Sequence, residues 1–216
     1  MTNTTRIVIF DFDGTLGDTK KVIINTMQAT IKELGLPERT DAECQAVIGL
    51  PLKAVPEALF PEVDMPGEKY ENVYRRLFAG YNEEGSVKLF PHVMETLEEL
   101  RGKRIMMTIA SSRSHATLAA YVNDLGLRDT ISYVIGAENV KHPKPASDPV
   151  DKTLMIFSLN PDTCIVVGDT VYDIQMGKNA GCRTIGVSYG NGTREQLLDA
   201  GADYVIDDIQ DLLKYI

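Results

Sequence analysis

RIVIFDFDGTLGDT (residues 6–19) joins two kinds of chemistry with no spacer between them. RIVIF is a short β-branched run, the pattern of a strand buried on both faces of a sheet. Directly after it, Asp11 and Asp13 stand two apart and are followed by Gly14 and Thr15. A glycine there permits a tight turn, so the run reads as a buried strand that delivers carboxylates to its own carboxyl end.

The rest of the chain repeats the pattern. RIMMTIA (104–110) runs into Ser111, Ser112 and Arg113, and TCIVVG (163–168) into Asp169, Thr170 and Asp173. YVIG (133–136) is followed by a proline-rich loop, KHPKPASDP (141–149), that carries Lys144 with Lys141 as a competing candidate. CRTIGVS (182–188) and DYVI (203–206) supply two further strands. Helical patterns occupy 92–100, 114–125, 149–157, 172–179 and 194–200, and a last helix is expected to end at 216. Strands alternating with helices imply an α/β protein with a parallel sheet covered on both faces. Ligands of such sheets sit at the carboxyl ends of the strands. If these strands are neighbours, carboxylates, hydroxyls and an ammonium converge on one crevice. Acids crowded in this way repel one another unless a cation lies among them. A hard divalent ion with oxygen ligands, Mg²⁺ by preference, satisfies that requirement.

Between residues 20 and 84 the rhythm changes. Val22, Ile23, Thr26, Met27, Thr30, Ile31 and Leu34 recur at three- and four-residue spacings, and Gly35 then supplies a stop. Residues 41–48, 52–60 and 68–81 also read as helical, separated by Gly49-Leu50-Pro51 and by PEVDMPG (61–67). This stretch is expected to be a small all-helical insertion.

Composition narrows the partners. The chain has 216 residues, 44% of them apolar, enough for a sizeable core. Its formal charge of −9 disfavours nucleic acid or an anionic membrane as partner, since both need a basic surface. No apolar run reaches the roughly 18 residues of a membrane helix, and MTNTTR lacks the apolar segment of a secretory leader. The cytoplasm is the expected compartment. Cys44, Cys164 and Cys182 are far apart with no CxxC spacing, so neither a disulfide framework nor a zinc site is suggested. Oligomeric state is not written in the sequence.

DFDGT after a strand, a serine ending a second strand, the lysine of KPASDP and GDTVYDIQMGKNAG together resemble, in order, the four motifs of the haloacid dehalogenase superfamily. The resemblance spans the whole chain. It implies a Rossmann-like parallel-sheet core, residues 1–17 and 86–216, with a helical cap domain, 18–85, inserted after the first strand. The cap resembles that of members similar to phosphoglycolate phosphatase, towards which GLPL (49–52) and YGNGTREQLLDAGADYVID (189–207) lean. Ser147 stands where the family often has proline.

The roles that follow are implied by that resemblance. Asp11 would be the nucleophile that takes up the phosphoryl group, and Asp13 the general acid and base. Gly14, Thr15, Ser111, Ser112, Arg113 and Lys144 would contact the phosphoryl group or substrate, with Lys144 neutralising its charge. Asp11, Asp13 (through its backbone carbonyl), Asp169 and Asp173 would form the Mg²⁺ site, Asp173 also positioning Lys144. Cap contacts to substrate are expected near residues 50–53. The implied activity is a phosphatase acting on a small phosphorylated metabolite: phosphoglycolate, or a sugar or nucleoside phosphate. Asp13 argues for phosphoryl transfer, because the dehalogenases lack an acid there. The alternatives are a mutase similar to β-phosphoglucomutase, weakened by Leu52 where those enzymes carry arginine, and a receiver-like phosphoacceptor module, weakened by the cap.

Overall fold

The computed structural model describes residues 5–83 and 85–216. The first four residues, read above for a leader, and Glu84 within the proposed cap lie outside the described residues.

The chain opens with β1 (Ile7–Phe10), then a short β2 (Gly17–Asp18). Four helices follow: α1 (Lys20–Leu34), α2 (Asp41–Ala46), α3 (Val55–Leu59) and α4 (Gly67–Tyr81). After a short β3 (Lys88–Leu89) come α5 (Val93–Gly102), β4 (Met106–Ala110), α6 (His115–Asp124), β5 (Tyr133–Ile135) and α7 (Asp148–Phe157). β6 (Cys164–Gly168), α8 (Val171–Asn179), β7 (Arg183–Val187), α9 (Arg194–Asp199) and β8 (Tyr204–Ile206) complete the alternation.

Six strands form one parallel sheet in the order β5-β4-β1-β6-β7-β8. From β1 the chain winds outward first through β4 and β5, then in the opposite direction through β6, β7 and β8. This is the doubly wound arrangement, and its reversal point lies between β1 and β6, where a crevice opens at the carboxyl ends. The four side chains of β1 are 0% exposed. Ile7 and Ile9 join Val150, Leu154 and Met176 under one face, whereas Val8 and Phe10 join Leu97 and Leu118 under the other. The alternation is that of a strand with period two, and each such side chain contributes about 1.5–3 kcal/mol of burial.

The helical segment between β2 and β3 has a hydrophobic cluster of its own, built from Met27, Ile31, Cys44, Phe60 and Tyr70 among others. α1 turns its buried face to α4, and Gly35 closes α1 in the left-handed region (φ 62°) as the sequence predicts. β2 and β3 pair antiparallel, Gly17 with Leu89 and Asp18 with Lys88, where the chain leaves and re-enters the sheet domain.

Several expectations differ from the structure in detail. The helix expected over 41–48 stops at Ala46. That over 52–60 divides into a 3₁₀ turn, Leu52–Ala54, and α3, because Pro56 lacks the N–H that would continue the first turn and suits the start of a new one. The strand expected from 104 begins at Met106, since Arg104 adopts φ 61°. The terminal helix is a 3₁₀ helix, Ile209–Tyr215. The β2–β3 pair is absent from the sequence reading.

Candidate active site

Asp11 leaves β1 with its N–H donated to the Val167 carbonyl of β6 at 2.8 Å, which sets it over the reversal point of the sheet. Asp169, just beyond β6, and Asp173, in the first turn of α8, reach the same point. Carboxylate oxygens of Asp11, Asp169 and Asp173 lie within 4.8 Å of one another, and the three residues are between 0 and 2% exposed.

Lys144 enters this group from the loop before α7. Its Nζ is 2.7 Å from Asp11 Oδ1 and also pairs with Asp173 Oδ1. Burial alone would push the ammonium's pKa down, but Asp11 and Asp173 outweigh it and hold the group charged. Burial raises the Asp11 carboxyl well above its ordinary range; Lys144 opposes this, and Asp173, Asp169 and Asp13 add to it. Asp169 is pushed up to about 7 by burial and the Asp173 charge, against hydrogen bonds from Asn191 and Thr15.

Each acid is held from behind. Thr15 Oγ1 donates to Asp169 Oδ1 at 3.0 Å, while Asn191 donates its backbone N–H (2.8 Å) and Nδ2 (2.9 Å) to Oδ2. Gly14, at φ 85°, and Gly190 press on the same carboxylate: a Cβ on either would lie within 2.4 Å of Asp169 Oδ2. Asp173 Oδ2 accepts the N–H (3.0 Å) and hydroxyl (2.7 Å) of Thr170, capping α8 while its other oxygen faces Lys144.

In front of Asp11 lies a cavity of about 160 Å³ shared by the sheet domain and the helical segment. Asp11, Asp13, Ser111, Ser112 and Arg113 line its floor. A hydrogen bond from Ser112 Oγ to the Gly49 carbonyl (2.6 Å) joins the layers at its rim, and another, from Gln45 Nε2 to the Asn191 carbonyl (3.0 Å), joins them outside the cavity lining.

The structure thus brings together Asp11, Lys144, Asp169 and Asp173, with Asp13 and Ser111 on the adjoining wall. Lys141 is exposed and takes no part. The side chain of Asp13 stands outside the carboxylate cluster, because the Arg113 fork holds it at 2.6–3.2 Å. Thr15 and Gly14 support Asp169 and are not on the cavity wall, and the Ser112 hydroxyl is taken by Gly49. Of residues 50–53, Leu50 and Leu52 line the cavity; Lys53 turns outward to Glu68 at 3.1 Å. Asn191 and Gly190 were not singled out from the sequence, and the GNG triplet after β7 is the signal that marks them.

Ionised together, three buried carboxylates this close would carry more negative charge than one lysine neutralises. An all-oxygen donor set of that kind fits a hard divalent cation and not a soft one, so the residues fit Mg²⁺.

The family model for haloacid dehalogenase-like hydrolases matches residues 8–187. The chain is 32% identical to a phosphoglycolate phosphatase of Aquifex aeolicus, over 83% of each chain. It is 30% identical to the pyrophosphatase PpaX of Anoxybacillus flavithermus, over 97% of this chain and 95% of that one. A solved haloacid dehalogenase-like hydrolase of Streptococcus pneumoniae superposes with a TM-score of 0.84 at 26% identity, covering 100% of this chain and 99% of that one. The chain belongs to the haloacid dehalogenase-like hydrolases, and these two curated relatives are named as phosphatases. No helix among the described residues is long and apolar enough to cross a membrane.

Proposed function

We propose that the protein is a Mg²⁺-dependent phosphatase of a small phosphomonoester that works in the cytoplasm, with Asp11 as nucleophile. The observation that carries this reading is the position of Asp11, which faces the cavity while Lys144 holds one of its oxygens from behind at 2.7 Å.

A free carboxylate oxygen of Asp11 attacks phosphorus in line. The new bond is an acyl phosphate on Asp11, and the bond that breaks is the one to the leaving alcohol. Asp13, on the same wall, gives its proton to that leaving oxygen and then takes one from the water that hydrolyses the acyl phosphate. Ser111 hydrogen-bonds a phosphoryl oxygen, and Lys144 offsets the charge that builds on nucleophile and phosphoryl group. Asp173 keeps Lys144 aimed and charged. Mg²⁺, held by Asp11, Asp169 and the Asp13 carbonyl with Asp173 beside them, would supply the charge that lets a carboxylate approach a phosphate dianion.

Residues 18–85 act in this reading as a cap that excludes water from the cavity. Leu52 on the cavity wall leaves no cation at that position to hold a second phosphate, which supports hydrolysis over a mutase.

Inorganic phosphate release from a panel of small phosphomonoesters, with and without Mg²⁺, tests the proposal. Metal-dependent release is expected from the wild type, and Asp11→Asn should lower kcat by on the order of 10³-fold or more with an unchanged fold. Full turnover in that variant would remove Asp11 from its role.

A further inference from the structure

We infer that the leaving group of the substrate is an apolar alcohol, not a sugar or a carboxylate-bearing one. This rests on the phosphatase reading and concerns the part of the cavity beyond the phosphoryl site.

The roof of the cavity comes from the helical segment. Ile23 and Met27 of α1, Val47 and Ile48 after α2, and Leu52 and Val55 around the start of α3 all face it. The polar side chains that share this wall are mostly committed elsewhere. Arg113 gives Nε and Nη2 to Asp13, Ser112 gives its hydroxyl to the Gly49 carbonyl, and the Ser114 and Thr117 hydroxyls pair with each other at 2.8 Å. The Arg75 guanidinium, the one cation among the described roof residues, gives Nη2 and Nε to a single Glu71 oxygen at 2.6 and 2.9 Å. Asp11 and Ser111 remain for the phosphoryl end, and the Tyr74 phenol is the one polar tip among the roof's aromatic and aliphatic groups.

A carboxylate or a ring of hydroxyls entering this space would lose water and meet a wall that is aliphatic along Ile23, Met27, Val47, Ile48, Leu52 and Val55, with fewer partners than polar groups. Each unpaired polar group lowers kcat/KM by about 10- to 100-fold. A methylene entering the same space raises it by about fourfold. An apolar cavity of near 150 Å³ holds a benzene ring. At about 160 Å³, shared with the phosphoryl group, this one suits a leaving group of a few carbons.

The test is kcat/KM with Mg²⁺ for methyl, ethyl, propyl and butyl phosphate, beside phosphoglycolate and glucose 6-phosphate. The simple alcohols have similar leaving-group basicity, so the series reports binding in the transition state. Butyl is expected to exceed methyl by about 30-fold or more and to exceed both polar substrates. Phosphate release with a flat series, or with phosphoglycolate or glucose 6-phosphate ahead of butyl, overturns the inference and leaves the phosphatase intact.

Absence of release from every member overturns the phosphatase reading instead. Calorimetric binding of methyl- to butylphosphonate then decides the apolar site: affinity that tightens with chain length retains it, and equal affinities reject it. Leu52→Lys, at a half-buried position, should flatten the alkyl series and favour phosphoglycolate by about 10-fold or more. An unchanged preference in a variant with a wild-type melting temperature would also reject the apolar site.

Discussion

Arg113 holds Asp13 through three hydrogen bonds of 2.6, 3.0 and 3.2 Å, and its guanidinium lies 4.9 Å from the Phe78 ring and 5.2 Å from that of Tyr121. Phe78 belongs to α4 and Tyr121 to α6, so one arginine joins the proposed acid to both layers. Arg113→Ala would strand a mostly buried carboxylate, at a cost of about 3 kcal/mol. A melting temperature lower by roughly 6–12 °C is expected. Arg113→Lys keeps the charge but not the fork, and should fall between the two while still losing kcat. Equal melting temperatures for Arg113→Ala and wild type would mean that solvent, and not this pair, stabilises Asp13.

Asp169 gives a pH test whose sign can be worked out. Its folded-state pKa, pushed up to about 7 from an ordinary 3.8, means that the folded protein binds this proton more tightly than the unfolded chain does. The contribution therefore favours folding below about 4 and is lost as pH rises through about 7. Without divalent metal, Asp169→Asn should melt no lower than wild type at neutral pH, since one of three crowded charges is gone. Its amide oxygen can still accept from Asn191, and the Thr15 hydroxyl can accept from its NH₂. Saturating Mg²⁺ should raise the wild-type melting temperature by roughly 5–10 °C and leave that of the variant almost unchanged. Equal Mg²⁺ shifts in thermal unfolding scans would place the metal elsewhere.

The contacts between the layers make a separate prediction about closure. Ser112→Ala removes the 2.6 Å bond to the Gly49 carbonyl, and Gln45→Ala the 3.0 Å bond to Asn191. Each is worth about 1 kcal/mol, so steady-state KM should rise about fivefold in either variant, with the melting temperature lower by about 2–4 °C at most. The double variant should rise further. No change in KM would show that these bonds do not help to hold the roof over bound substrate.

The sheet was readable because strands buried on both faces are unbroken apolar runs, as Ile7 to Phe10 and Cys164 to Gly168 are. The acids were readable because they follow those runs directly. Two-residue strands carry no periodicity, so β2 and β3 left no trace. Contacts between distant residues were equally silent. Nothing local to Asn191 says that it holds Asp169, and nothing near position 113 names Asp13, a hundred residues earlier, as its partner. Arg113, a candidate substrate contact, stands on the cavity wall with its Nε and Nη2 given to Asp13. The sequence leaves Lys141 as a competitor of Lys144, and burial separates them: Lys144 is buried and pairs with Asp11 and Asp173, whereas Lys141 is exposed.

The β2–β3 pair gives the helical segment a narrow neck. Its outgoing and returning strands lie side by side, joined by the pairs Gly17–Leu89 and Asp18–Lys88, a few residues from Asp11. In the cap reading proposed above, a body whose chain crosses at one neck would turn about it as a door turns on a hinge post, with the Gly49 and Gln45 contacts as its latch. Substrate entry would then ask for a swing of the roof alone: the acids, Lys144 and the sheet beneath them would stay in register while the apolar ceiling lifts away.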